Sequence, residues 1–144
     1  YLGYEKGYTD YAEAANDIEI TEKIKRIAEV INRCITTVYN VSMQEQTAFS
    51  EMAIRKFQNR NIKDTVARNV RDVERKLKPE ERIRKPLSLM QEQGEYSREL
   101  LEVLAAALRY GMKTKELSQD WDKLVDFYTQ GMCEEWKQVL HRCK

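Results

Sequence analysis

Apolar residues recur at helical spacing through the first third of the chain. The pattern slips at Glu45, where an apolar residue is expected, and resumes near Met52 and Phe57. It therefore predicts one long helix from about residue 17 to about residue 58, roughly 60 Å long at 1.5 Å per residue. Before the slip, the gaps alternate between four and three residues, as one buried helical stripe requires, at Ile20, Ile24, Ile27, Ile31, Cys34, Val38 and Val41.

A second helix is predicted after Asn61, whose side chain suits an N-cap position. Pro79 stops this helix, and Pro86 interrupts the chain again a few residues later. Its apolar positions fall on one face, at Ile62, Val66, Val70, Val73 and Leu77.

Two more helices complete the pattern. The third covers about residues 87–112, is weakened at Gly94 and ends at Gly111, and the fourth runs from about residue 114 to the C-terminus. No segment shows the alternation of a strand. The predicted fold is all-α, an elongated antiparallel bundle of about four helices with a long first helix.

The first sixteen residues differ from the rest because they combine tyrosines with helix-weakening glycines, Gly3 and Gly7. We interpret them as a tyrosine-rich N-terminal arm that packs on the bundle, with a docking or phosphorylation segment as the alternative. The predicted organisation is an arm over residues 1–16 and a helical bundle domain over residues 17–144. Helical spacing would bring four tyrosines to one side, Tyr1, Tyr4, Tyr8 and Tyr11.

Composition supports few, long elements, since 34% of the 144 residues are charged and only 5 are Gly and 2 Pro. The chain has no apolar run of the roughly 18 residues that a membrane-spanning helix needs, and no signal peptide opens it. Three widely spaced cysteines do not suggest a disulfide framework and fit a reducing compartment. We therefore expect a cytoplasmic protein.

Residues that could carry catalysis are few. His141 is the only histidine, and no Gly-rich phosphate loop or Cys-x-x-Cys pair occurs. A zinc site from Cys133, His141 and Cys143 lacks a fourth ligand and compact spacing. We expect no catalytic residues, no metal and no cofactor, and hence no enzyme.

Charge is distributed unevenly along the chain. Residues 55–85 hold twelve basic and five acidic residues, a net charge of +7, although the whole chain carries only +1. Opposite the apolar face of the second helix, the basic side chains form a stripe that continues into the connection after it. The candidate residues for binding an anionic surface are Arg68, Arg71, Arg75, Lys78, Arg82, Arg84 and Lys85.

This stripe has several interpretations. It is an ordinary solvated face, or it contacts an acidic protein, a phospholipid surface or nucleic acid. Nucleic acid is less favoured because residues 58–95 contain no aromatic side chain on which bases could stack. In the last helix, Trp136 is a candidate aromatic contact, with core packing as the alternative.

The sequence thus predicts a non-enzymatic protein-interaction or scaffolding domain of a larger protein or complex, with residues 55–85 as a contact surface. The expected partners are other proteins, including another copy of the chain through the long first helix, and an anionic membrane. The alternative is a peripheral module that binds phospholipid or nucleic acid through the same stripe.

Overall fold

The computed structural model describes residues 1–144 and confirms the all-α class, with ten helices and no strand. The chain forms two compact units. The first comprises residues 2–69, and the second comprises residues 70–144 together with Tyr1. None of the helices is long and apolar enough to cross a membrane.

The first unit is built around a helical hairpin. Two short helices, α1 (Leu2–Glu5) and α2 (Tyr11–Asn16), precede the hairpin helices α3 (Ile18–Tyr39) and α4 (Met43–Gln58). A fifth helix, α5 (Val66–Val70), begins at the end of this unit. The buried face of α3 contains Ile20, Ile27 and Cys34 of the predicted apolar stripe together with Val30, whereas Ile24 and Val38 of that stripe are exposed.

The single helix predicted over residues 17–58 is two helices. Asn40 has a φ of 50°, a left-handed conformation that ends α3. Two residues later, the Ser42 hydroxyl accepts a hydrogen bond from the Glu45 amide at 3.1 Å and caps α4. The slip in the apolar pattern at Glu45 therefore marks the first turn of a new helix.

The second unit packs around one apolar helix. It contains α6 (Val73–Lys76), α7 (Arg84–Glu92), α8 (Arg98–Thr114), α9 (Trp121–Tyr128) and α10 (Glu134–His141). Helix α8 supplies most of the core, from Leu100 to Gly111, while Leu140 of α10 and Val125 of α9 are fully buried.

The second predicted helix is also divided, because Asp72 adopts a φ of 60° between α5 and α6. The arginines at 68, 71 and 75 therefore do not form one continuous helical stripe. Gly94, with a φ of 67°, separates α7 from α8. Gly111 does not end α8, which continues to Thr114 and stops at Lys115 in a left-handed conformation.

The N-terminal tyrosines do not share one side of a helix. The ring of Tyr1 lies 5.6 Å from that of Tyr110, in the second unit. Tyr8 donates a hydrogen bond to Asp17 at 2.7 Å, and Tyr11 packs edge-on against Phe57. Residues 2–16 belong to the first unit, and a domain boundary at residue 17 stays a prediction.

Candidate anion-binding site

The seven predicted basic residues fall in both units. Arg68 belongs to the first unit, where its guanidinium lies 3.3 Å from the carboxylate of Asp64. The other six belong to the second unit. Arg71 and Lys78 are exposed, and Lys85 pairs with Glu80 at 3.1 Å.

Lys76 is the unusual basic residue of the second unit because its side chain is buried, with only 8% of the residue exposed. Burial lowers the pKa of its ammonium group, and repulsion from Arg82 and Arg75 lowers it further, whereas Asp72 and Glu116 act in the opposite direction. Lys76 therefore lies within electrostatic range of both arginines, and Arg75 and Arg82 both approach the Glu81 carboxylate, at 4.0 and 3.7 Å. We call these three residues the basic cluster.

Tyr1 borders the basic cluster. Burial raises the pKa of its phenol, Glu116 and Tyr110 raise it further, and the positive charges of Arg82 and Arg75 oppose this. The phenol therefore experiences the same charges as the Lys76 ammonium. Acidic neighbours partly balance the cluster, with Asp72 and Glu81 each 4.0 Å from Arg75.

A contact with a distant part of the chain holds the short helix that carries Lys76. The Val73 amide donates a hydrogen bond to the carboxylate of Glu116 at 2.9 Å, across 43 residues of sequence. Asp72, at the N-cap position, makes no side-chain cap hydrogen bond. Glu116 therefore replaces the usual local cap of α6.

Arg84 has a different environment from the basic cluster. Its guanidinium lies over the ring of Tyr128, 5.9 Å from the ring centre, and one nitrogen donates to the Leu77 carbonyl at 3.2 Å. The Nε atom is buried without a hydrogen-bond partner. Burial lowers the pKa of this guanidinium.

Trp136 is buried, with 5% of the residue exposed, and its ring centre lies 6.0 Å from that of Tyr96. Both rings line a surface cavity of about 470 Å³ together with Gln91 and Cys133. A role for Trp136 as an aromatic contact stays a prediction, and its burial favours the alternative of core packing.

Other residues with catalytic potential lie apart. His141 pairs with Asp122 at 3.0 Å on the surface of α9 and α10, and the three cysteines form no disulfide. No group of three or more His, Cys, Asp or Glu side chains is arranged to hold a metal ion.

Lys76 and Glu116 were not among the residues predicted from the sequence. A signal for Lys76 existed, because it lies three residues after Val73 and one before Leu77, on the apolar side of a helix. A lysine on the same face as Val73 and Leu77 is expected to be buried when that face packs against the core. Glu116 gave no such signal, since its partner Val73 is distant in sequence.

The chain is thus an all-helical protein with a partly buried basic cluster in its second unit. It belongs to the mannitol dehydrogenase C-terminal domain family, whose model matches residues 1–141.

Similar proteins include several enzymes named mannitol-1-phosphate 5-dehydrogenase. The one from Caldanaerobacter subterraneus is 34% identical over 113 residues, which cover 78% of this chain and 29% of that protein. The one from Enterococcus faecalis is 29% identical over 126 residues, covering 88% and 33%. A third, from Shouchella clausii, is 27% identical over 136 residues, covering 93% and 36%. The chain spans about a third of the length of these curated relatives.

The family overturns the functional prediction from the sequence. A non-enzymatic interaction or scaffolding domain was wrong, because the family and its relatives belong to an oxidoreductase class. The expected protein and membrane partners, and the less favoured nucleic acid, were wrong for the same reason: the relatives are named for action on a small phosphorylated polyol. The error arose because only local catalytic motifs were searched for, and this chain contains none of them although it belongs to a dehydrogenase domain family.

Proposed function

We propose that this chain is a domain of a polyol-phosphate dehydrogenase, and that its basic cluster binds the phosphate group of the substrate. The relatives' name, mannitol-1-phosphate 5-dehydrogenase, supplies the substrate class. The observation that carries the assignment of a phosphate site is the proximity of Arg75 and Arg82, which lie 4.0 and 3.7 Å from the same Glu81 carboxylate, to the buried Lys76.

Electrostatics favours a phosphate at this cluster. Burial is the main reason for the lowered pKa of Lys76, and repulsion from the like charges of Arg82 and Arg75 lowers this pKa further. A phosphate monoester carries nearly two negative charges at neutral pH and accepts several hydrogen bonds. Binding such a group would relieve the repulsion and stabilise the ammonium form of Lys76.

The basic cluster would contribute to substrate selection more than to hydride removal. Mannitol without its phosphate is uncharged, so a cationic site discriminates between the two polyols through charge-assisted hydrogen bonds. Dehydrogenation also requires a hydride acceptor, and we assign no residue of this chain to it, since the sequence contains no Gly-rich phosphate loop.

The proposal is tested in the complete polypeptide that carries this chain, by comparing mannitol 1-phosphate with mannitol as substrates. In Arg82→Ala and Lys76→Met, we expect KM for mannitol 1-phosphate to rise by about tenfold or more, the size expected when a hydrogen bond to a charged group is lost. The value of kcat/KM for mannitol should change much less, because that substrate has no phosphate.

Lys123→Met is the matched control, because it removes one positive charge from the same unit. Lys123 is exposed and pairs only with Asp120, at 2.8 Å, outside the basic cluster. If Arg82→Ala and Lys76→Met have the same KM for mannitol 1-phosphate as the control, the cluster does not bind the phosphate and the proposal is wrong.

We also propose a cytoplasmic location for the protein. Three cysteines without a disulfide support it, because thiols persist in a reducing compartment. Fractionation of cells that express the protein, followed by detection with an antibody, tests this location.

A further inference from the structure

We propose that Glu116 is the positioning residue of the basic cluster, because its carboxylate anchors the short helix α6 that carries Arg75 and Lys76. This inference rests on the proposed function for its effect on substrate binding. The anchoring itself rests on the contacts around Val73 and can be tested without substrate.

Helix α6 cannot hold its own position. It has four residues, and so it is too short to be stable without tertiary contacts. The left-handed Asp72 before it offers no side-chain cap. The anchor therefore has to come from another part of the unit, and the Glu116 carboxylate provides it.

The Val73 amide requires this partner. Val73 is completely buried, and a buried N–H group without an acceptor is costly. Glu116 accepts this hydrogen bond at 2.9 Å with a charged oxygen, which makes the bond stronger than one between neutral groups. Without Glu116, the first turn of α6 must move toward water to satisfy its amide.

The backbone around Glu116 is itself tightly held. Lys115 ends α8 in a left-handed conformation, and the Leu117 amide donates to the Gly111 carbonyl at 3.0 Å. A Cβ atom on Gly111 would lie 2.5 Å from Leu117 and 3.0 Å from Val73, so these three residues already pack without spare room. Glu116, which follows the end of α8, therefore fixes the start of α6 relative to α8.

Glu116 has two effects: it anchors α6, and it contributes a negative charge near Lys76. Substitutions at Glu116 and Asp72 can separate these two effects. Asp72 raises the pKa of Lys76 more than Glu116 does but makes no anchoring bond. In Glu116→Gln, the amide oxygen can still accept the Val73 hydrogen bond while the charge is lost. Asp72→Asn removes a charge and keeps the anchor, and Asn tolerates the left-handed conformation.

The experiment measures two quantities in the complete polypeptide for Glu116→Ala, Glu116→Gln and Asp72→Asn. The first is hydrogen exchange of the peptide over residues 70–78, followed by mass spectrometry. The second is the pair of KM and kcat for mannitol 1-phosphate.

For Glu116→Ala, we expect exchange in this peptide to be about tenfold faster or more, as the loss of one charge-assisted hydrogen bond implies. We expect KM to rise about fivefold or more, with kcat changing less than about twofold, because the residue positions binding groups only. Asp72→Asn should stay within about twofold of the unchanged protein in both measurements, whereas Glu116→Gln should fall between the unchanged protein and Glu116→Ala, because a neutral acceptor makes a weaker bond.

Three results would overturn the inference. Unchanged exchange in Glu116→Ala would mean that α6 has no anchor there. A loss in Glu116→Gln equal to that in Glu116→Ala would mean that the charge matters and the hydrogen bond does not. If Asp72→Asn changed exchange and KM as much as Glu116→Ala does, the effect would come from a nearby negative charge and not from the hydrogen bond of Glu116.

Failure of this inference is distinct from failure of the proposed function. If Arg82→Ala and Lys76→Met leave KM for mannitol 1-phosphate unchanged, the phosphate site is wrong, whereas the exchange measurement still tests the anchor. If those variants raise KM while Glu116→Ala leaves exchange unchanged, only the role of Glu116 is wrong.

Discussion

Asn32 and Ser50 exchange hydrogen bonds across the α3–α4 hairpin. The Asn32 amide group donates to the Ser50 hydroxyl at 3.0 Å, and the hydroxyl donates back to the Asn32 oxygen at 3.1 Å. Asn32 is buried, and α4 has no fully buried residue of its own. This polar pair is therefore a main specific link between the two helices of the hairpin.

Replacing Ser50 by Ala should destabilise the protein by about 1–3 kcal/mol, because it leaves the buried Asn32 amide without these bonds. The measurement is urea unfolding followed by circular dichroism. Ser88→Ala, at an exposed position of α7, is the control and should have almost no effect. In a cycle with Asn32→Ala, additive losses would show that the pair contributes no interaction energy.

Asp17 should make the free energy of unfolding depend on pH in the acidic range. Its carboxylate accepts hydrogen bonds from the Ile20 amide, Tyr8 and Lys6, which lower its pKa to about 2. Because this value lies below that of the unfolded chain, the stabilisation is fully present above about pH 4 and is lost as the pH falls through about 2. Urea midpoints measured from pH 6 to pH 2 for the unchanged protein and Asp17→Asn should therefore converge at low pH. A difference that stays constant over this range would contradict the assignment.

Gly111→Ala should destabilise the second unit, although Ala is the better helix former by about 1 kcal/mol. The added methyl group would lie 2.5 Å from two atoms of Leu117, and so the core is overpacked at a cost of about 1–3 kcal/mol. Thermal unfolding measures the loss. Leu117→Ala makes room for the methyl group, and the double variant should therefore be less destabilised than the sum of the single variants. An increase in stability for Gly111→Ala alone would refute the close approach.

The three thiols should react at different rates with an aromatic disulfide reagent. Cys34 is 1% exposed, whereas Cys133 and Cys143 are half-buried. We expect two thiols to react in the folded protein and the third to react only in denaturant. Cys34→Ala assigns the slow thiol, because that variant should lose the slow phase alone. Equal rates for all three thiols would contradict the burial of Cys34.

The all-α class could be predicted because apolar periodicity is local. Ile20, Ile27 and Cys34 of the predicted stripe do lie on the buried face of α3, although the stripe also included the exposed Ile24 and missed the buried Val30. Helix ends were harder to predict. Asn40 and Asp72 interrupt the predicted helices through left-handed backbone conformations, which Asn and Asp residues adopt at only some of the positions where they occur. Gly111 shows the opposite case, since its role is close packing against Leu117 and not helix termination.

The candidate site was predicted only in part. The excess of basic residues over 55–85 was visible in the sequence, and Arg75 and Arg82 were among the candidates. The burial of Lys76 and the contact from Glu116 depend on tertiary packing, which brings together residues far apart in the chain. Membership in an enzyme family could not be predicted either, because the chain contains no local catalytic motif that indicates it.

The bond between Glu116 and Val73 also has a consequence for the order of folding. Closing a loop of 43 residues costs chain entropy, which is recovered only when α8 and the turn after it are already formed. We therefore expect α6 to form after α8, with interactions at Val73 absent from the folding transition state. A ligand that binds at Arg75 and Lys76 would then slow unfolding of this segment and leave its rate of formation unchanged.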